Sequence, residues 1–200
     1  MVLLSWVISY MIGSISFSYL IGRKIAGIDI RSHGSGNAGA TNTLRVLGKG
    51  PGIAVLILDA LKGLAAMGIT YLLTADPLAY AVSGLFAIAG HNWPIFFGFR
   101  GGKGIATTLG VALGFSPLAF LIGAAVAVAA IFFTRYVSLG SLLLVTILPV
   151  VIFFLDKPAP YVWTSVILAV FAYIRHYENI RNLLSGKERK LGDKSHRKLG

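Results

Sequence analysis

Apolar and polar positions alternate along this chain on the scale of a lipid bilayer, not of a single helix face. A hydrocarbon core takes about 20 apolar residues in a helix, and the first run, residues 1–22, carries no charge. It has no basic lead-in of the kind a cleaved signal peptide carries, because Arg23 and Lys24 follow it. A retained span is expected there. Residues 52–74 form a second run, entered by Pro51 and closed by Asp76-Pro77, and residues 77–97 a third. From 104 to 134 the chain is again uncharged, which is too long for one upright span. Gly114-Phe115-Ser116-Pro117 divides it into a short fourth helix and a normal fifth. Residues 137–155 and 160–173 supply the sixth and seventh. The pattern predicts an all-α integral membrane protein with seven transmembrane helices.

Lys and Arg favour cytoplasmic loops. With the N-terminus outside, seven spans bring Arg23, Lys24, Arg31, Arg45, Lys49, Arg100, Lys103, Arg135 and the basic tail to the inside, and leave Lys157 outside. Merging the fourth and fifth helices would move Arg135 and the tail outside, so seven is preferred and the C-terminus is cytoplasmic. The expected organisation is one membrane domain, residues 1–185, and a basic polar tail, residues 186–200. Cytoplasm-facing loops at 23–50, 98–104, 135–141 and 175–182 carry the chemistry. Lys62 lies inside the second span, three residues after Asp59, where the two share a helix face and can pair.

Composition agrees. The 200 residues are 56% hydrophobic and 12% charged, against about 25% charged in soluble domains, and mean hydropathy is +0.79. A water-soluble globule is excluded. The net charge of +11 would suit nucleic acid, but the basic residues follow topology and no aromatic stacking motif accompanies them, so no nucleic-acid partner is expected. The absence of cysteine rules out disulfides, thiolate metal sites and a cysteine nucleophile. No His or carboxylate cluster has ligand spacing, so neither a metal nor a cofactor is expected.

The inner loops hold the unusual residues. Gly34-Ser35-Gly36-Asn37-Ala38-Gly39 matches G-x-G-x-x-G, with Asp59 at the distance of a ribose-binding acid. No strand precedes it and Asp59 lies in an apolar helix, so a dinucleotide site is rejected. Gly101-Gly102-Lys103-Gly104 is not a P-loop, because Phe97 stands where its first Gly belongs and Gly104 where Ser or Thr belongs. Glycines before a helix still let backbone N–H groups and an ammonium converge on an anion. The first loop concentrates Ser35, Asn37, Thr41, Asn42 and Arg45 without a carboxylate, which is the lining of a phosphate site. An ordinary polar linker and a packing turn are the simpler readings of the two loops taken singly. His91 beside Trp93, Arg135 with Ser138 and Ser141, and His176 with Asn179 approach the same face. His33 and His196 are expected as solvated residues.

Together these blocks resemble the bacterial acyl-phosphate-dependent glycerol-3-phosphate acyltransferases, the PlsY family. The residues that carry the resemblance are Gly34-Ser35-Gly36-Asn37 through Thr41-Asn42 to Arg45; Gly90-His91, Pro94, Phe96, Gly98-Phe99 and Gly101-Gly102-Lys103-Gly104; and Arg135-Tyr136-Val137-Ser138 with Ser141, His176, Asn179, Arg181 and Gly186-Lys187-Glu188. The H-x-x-x-x-D motif of the other acyltransferase lineage is missing, since Ala38, Phe96 and Arg181 stand five after His33, His91 and His176.

The resemblance implies transfer of an acyl group from acyl phosphate to the 1-hydroxyl of glycerol 3-phosphate, giving lysophosphatidic acid and phosphate. It implies an enzyme of the cell membrane that works as a monomer. It assigns Ser35, Arg45, Lys103, His176 and Asn179 to the substrates, and Gly36, Asn37, Thr41, Asn42, Gly101, Gly102, Gly104 and Ser141 to the phosphate cradles. No Asp or Glu stands in the core motifs, so the proton acceptor is His91, His176 or a substrate phosphate. The rival class is a transporter for an anionic solute, which predicts polar groups through the full bilayer depth and internal repeats. The chain has polar clusters on one face and no repeat.

Overall fold

The structure, a computed structural model, describes residues 1–193; the His196 expectation lies outside them. Among the described residues every regular element is helical: α1 (Val2–Gly13), α2 (Phe17–Ala26), α3 (Ala40–Leu47), α4 (Lys49–Leu73), α5 (Pro77–Asn92), α6 (Ile105–Phe115), α7 (Pro117–Thr134), α8 (Val137–Phe154), α9 (Ala159–Arg175) and α10 (Tyr177–Leu184). Short 3-10 turns lie at Ile30–Ser32 and Ile95–Phe97.

Local chemistry explains the boundaries. Asp76 caps α5 by accepting from the N–H groups of Leu78 and Ala79, with Pro77 in the first turn. Ser116 caps α7 in the same way, and Pro117 enters it. The uncharged stretch 104–134 is therefore two helices. α5 stops at Asn92 instead of reaching 97, because the residue before Pro94 is pushed out of the α region.

Two segments differ from expectation. The first apolar run is broken, with residues 14–16 non-helical between α1 and α2. The Lys62 ammonium takes the Ile15 carbonyl freed by the break, at 2.7 Å. The first polar loop is partly helical, because α3 lies inside it and packs on α4. Among the described residues, four helical stretches are long and apolar enough to cross a membrane: Val2–Ala26 counted across its break, Lys49–Leu73, Pro117–Thr134 and Val137–Phe154. Shorter apolar helices are Ile105–Phe115 and Ala159–Arg175.

The helices pack chiefly as α1 on α5, α4 on α6, α7 on α8 and α8 on α9. In lipid, burying apolar surface gives little drive to associate, so small residues that let backbones touch become important. A Cβ on Gly13 would lie 2.1 Å from the Ala87 carbonyl oxygen, and one on Gly90 2.2 Å from that of Tyr10. The same holds for α4 and α6, where a Cβ on Gly110 would lie 1.9 Å from the Ala60 oxygen. Away from the loops, Met67, Ile88, Val111, Phe115, Leu148 and Ile152 form the larger apolar core. A smaller one, with Leu144, Val145 and Ala172, underlies the inner ends of α8 and α9.

Gly110→Ala must separate α4 from α6, an overpacking cost of about 1–3 kcal/mol. Gly68 on α4 has open space at its Cβ position. Thermal melting in detergent is expected to fall by several degrees for Gly110→Ala and to stay unchanged for Gly68→Ala.

Candidate active site

The loop-bearing ends of these helices enclose a cavity of about 360 Å³. One end is polar. Ser35, Asn37, Thr41 and Arg45 come from the first loop and α3, and Lys103 and Gly104 from the start of α6. Ser138 and Ser141 come from α8, His176 and Asn179 from the α9–α10 junction, and Glu188 from beyond α10. The sequence-predicted residues Ser35, Asn37, Thr41, Asn42, Arg45, His91, Lys103, Gly104, Ser141, His176 and Asn179 are thus brought together. Gly36, Gly101 and Gly102 do not line the cavity.

The first loop is built by Asn42, which is 1% exposed. Its Oδ1 accepts from the Ser35 N–H at 2.8 Å, and its Nδ2 donates to the carbonyls of Ile30 and His33. Both amide atoms are engaged, so Asn42 positions Ser35 and is not a free phosphate ligand. Arg31 ties this loop to the second. Its guanidinium holds the Asp29 carboxylate, with NH2 at 2.8 Å from Oδ2, while NH1 donates to the Phe97 carbonyl at 2.6 Å. That hydrogen-bonded guanidinium keeps the Asp29 carboxyl below the usual carboxylate range. His33 is not solvated; it is half-buried, with Nδ1 3.0 Å from the Asp29 carbonyl.

The glycine–lysine loop works differently from expectation. The Gly102 N–H donates to the His91 carbonyl at 3.1 Å and is not offered to a ligand. Arg175 donates to the carbonyls of Gly101 and Gly102, the shortest at 2.8 Å. A Cβ would lie 2.0 Å from the His91 oxygen at Gly101 and 2.1 Å from His91 Nε2 at Gly102. These glycines seat the loop against α5 and aim Lys103 into the cavity. The donors left for an anion are the lysine and the open first turn of α6.

Lys103 and Arg45 are both half-buried, and neither has an ion-pair partner among the described residues. Burial pushes both of their pKa values down. Arg45 Nε is buried without a hydrogen-bond partner, and its NH2 reaches only the Arg189 carbonyl, at 3.4 Å. Lys103 Nζ donates to Asn179 Oδ1. Asn179 Nδ2 and Ser138 Oγ donate in turn to Glu188 Oε1, at 2.7 and 2.6 Å. Burying a cation without an ion pair is costly, and Glu188 is the carboxylate that lines this end of the cavity with them.

His176 donates through Nδ1 to the Ala172 carbonyl at 2.8 Å, which leaves Nε2 as an acceptor. Burial, and then Lys103, lower its pKa to about 4. Beneath the polar end lie Asp59 and His91, which also line the cavity, and Lys62.

The other end is apolar: Ile53 and Leu56 of α4, Ile105 and Leu109 of α6, Ala124, Ala127, Val128 and Ile131 of α7, and Leu144 of α8. Ile53 is 53% exposed and Val128 65%, so the cavity opens sideways between α4 and α7 as well as at the loops.

Comparison with known proteins decides the family. The sequence profile of the glycerol-3-phosphate acyltransferases matches residues 3–186. A glycerol-3-phosphate acyltransferase of Halalkalibacterium halodurans is 52% identical, over 96% of this chain and 97% of the relative. The chain belongs to the PlsY family of glycerol-3-phosphate acyltransferases. Glycerol-3-phosphate acyltransferase 2 of Moorella thermoacetica is 45% identical, over 96% of this chain and 99% of that one. Among solved structures, PlsY, an integral membrane glycerol 3-phosphate acyltransferase, matches in its glycerol 3-phosphate form with a TM-score of 0.91 and 38% identity, over 96% of both chains. Its lysophosphatidic acid form matches with a TM-score of 0.88 and 36% identity, over 96% and 95%.

Within this PlsY-family chain, the roles of three contributors escaped the reading from sequence. Arg175 opens the 175–182 loop and was not singled out, and only its carbonyl partners reveal its role. Glu188 stood in the resemblance but was placed in the tail. Asn42 was read as a ligand because nothing local shows where its amide points.

The depressed His176 pKa has a sign. Between about pH 4 and 6.5 the unfolded chain binds a proton at His176 that the native state refuses, so His176 makes stability rise with pH across that window. Melting of wild type and His176→Asn is expected to diverge as pH rises from 4.5 to 7, by up to about 1 kcal/mol per pH unit. Parallel curves would show that His176 is not held neutral.

Proposed function

We propose that this protein transfers an acyl group from acyl phosphate to the 1-hydroxyl of glycerol 3-phosphate, releasing lysophosphatidic acid and inorganic phosphate. The observation that carries the reading is the continuity of the cavity. Unpaired Arg45 and Lys103 stand at one end, and an apolar passage opens sideways at the other. A phosphorylated head joined to a hydrocarbon chain fits that shape, and a small second phosphate fits beside the two cations. Both named forms of the PlsY structure, with glycerol 3-phosphate and with lysophosphatidic acid, accord with it.

Acyl phosphate is a mixed anhydride with a good leaving group, so placement and charge neutralisation suffice. The 1-hydroxyl oxygen attacks the acyl carbonyl carbon, the bond from that carbon to the phosphate oxygen breaks, and phosphate leaves with its electrons. Arg45 and Lys103 neutralise the phosphates, and Ser35, Thr41 and Ser141 supply hydroxyls. Asn179, held by Glu188, orients Lys103. His176 Nε2 accepts a hydrogen bond from the glycerol moiety.

A substrate phosphate is the proton acceptor in this reading. An imidazole with a pKa near 4 is a weaker base than a phosphate monoester dianion, whose pKa is about 6. The phosphate of glycerol 3-phosphate takes the proton.

The proposed setting is the cell membrane. The seven apolar stretches cross it with the N-terminus outside and the loops at the cytoplasm, and one chain forms the whole site. Glycerol 3-phosphate enters from water and the acyl chain from the bilayer.

Purified protein given palmitoyl phosphate and labelled glycerol 3-phosphate is expected to form lysophosphatidate. Arg45→Ala and Lys103→Ala should remain folded in detergent and lose at least about 100-fold in turnover, as for removal of an oxyanion donor. Near-normal turnover in both would overturn the assignment.

A further inference from the structure

The proposed reaction uses neither Asp59 nor Lys62, yet both are almost fully buried, with side chains 1% and 2% exposed. The Lys62 ammonium hydrogen-bonds the Ile15 carbonyl at 2.7 Å and His91 Nδ1 at 3.0 Å, and forms an ion pair with Asp59 Oδ1 at 2.8 Å that lacks hydrogen-bond geometry. An ammonium only donates, so His91 Nδ1 must be the acceptor. The alternative, an Nδ1–H donated to Asp59, would span 3.6 Å, beyond a hydrogen bond. The proton of neutral His91 therefore sits on Nε2, on the far side of the ring. There Nε2 abuts Gly102, within 2.1 Å of where its Cβ would be, beside the Ala38 carbonyl where the first and second loops meet.

We infer that Lys62, anchored by Asp59, is a positioning residue that fixes His91 as the Nε2–H tautomer, so that His91 serves as a hydrogen-bond donor to a substrate phosphate and not as a base. The same ammonium holds the Ile15 carbonyl at the break between α1 and α2, so α4, α5 and the first span share one anchor. This rests on the phosphate-transfer reading above.

The test has an arm that does not depend on activity. In detergent, ¹⁵N-histidine-labelled wild type, with His91 assigned by its loss in His91→Gln, is expected to show a protonated Nε2 and an acceptor Nδ1. An Nδ1–H form would overturn the inference. The double variant Asp59→Leu/Lys62→Met removes both charges at similar volume, which avoids leaving one unpaired. It should lose the tautomer preference. With palmitoyl phosphate and glycerol 3-phosphate, its kcat/KM should fall about tenfold or more, the scale of one lost charge-assisted contact.

His91→Gln keeps an N–H donor at the Nε2 position and should stay within about tenfold of wild type. His91→Ala should fall well below it. A base would make Gln as inactive as Ala, so equal losses overturn the inference, as does a double variant with wild-type kcat and KM. A wild-type protein inactive on these two substrates overturns the underlying reading instead, and the tautomer measurement then decides the inference alone.

Discussion

Unneutralised positive charge is the constraint on which this molecule is built. The chain has 18 Lys and Arg against 7 Asp and Glu, and the buried and half-buried cations among the described residues fall into two kinds. Some are satisfied within the fold. Arg31 grips Asp29, Lys62 pairs with Asp59 and hydrogen-bonds Ile15 and His91, and Arg175 sits on two loop carbonyls. Arg45 and Lys103 are half-buried and form no ion pair among the described residues. Nearby carboxylates, Glu188 among them, act on both at longer range without pairing, so a ligand's negative charge would relieve the desolvation that burial imposes. The satisfied cations hold the loops in which the unsatisfied ones wait.

Glu188 shows how tightly this is managed. Its carboxylate lines the cavity, and it accepts from Ser138 and Asn179 rather than pairing with Arg45 or Lys103. It steadies the asparagine that steadies the lysine. The charge available to a ligand is modulated without being cancelled.

How legible this was from sequence follows from how far apart the cause and the effect lie. Asp76-Pro77 and Ser116-Pro117 announce helix starts because a cap and a proline act within four residues. The clustering of Ser35, Thr41, Arg45, Lys103, His176 and Asn179 in the inner loops was readable as chemistry, and the family resemblance holds. The break after Gly13 was hidden, because the residue that satisfies it, Lys62, comes from another helix. The glycines at 101 and 102 misled for a similar reason. Their lack of side chains answers to the backbone of α5 and to Arg175, both distant in sequence.

The cavity has one mouth among polar loops and another between α4 and α7, where Ile53 and Val128 both line it and stand exposed. A catalyst whose two doors open on different solvents needs no separate affinity to sort what it makes. In the proposed reaction the charged product would leave to water and the acylated one to lipid, so partition, rather than a conformational cycle, would clear the chamber for the next turnover.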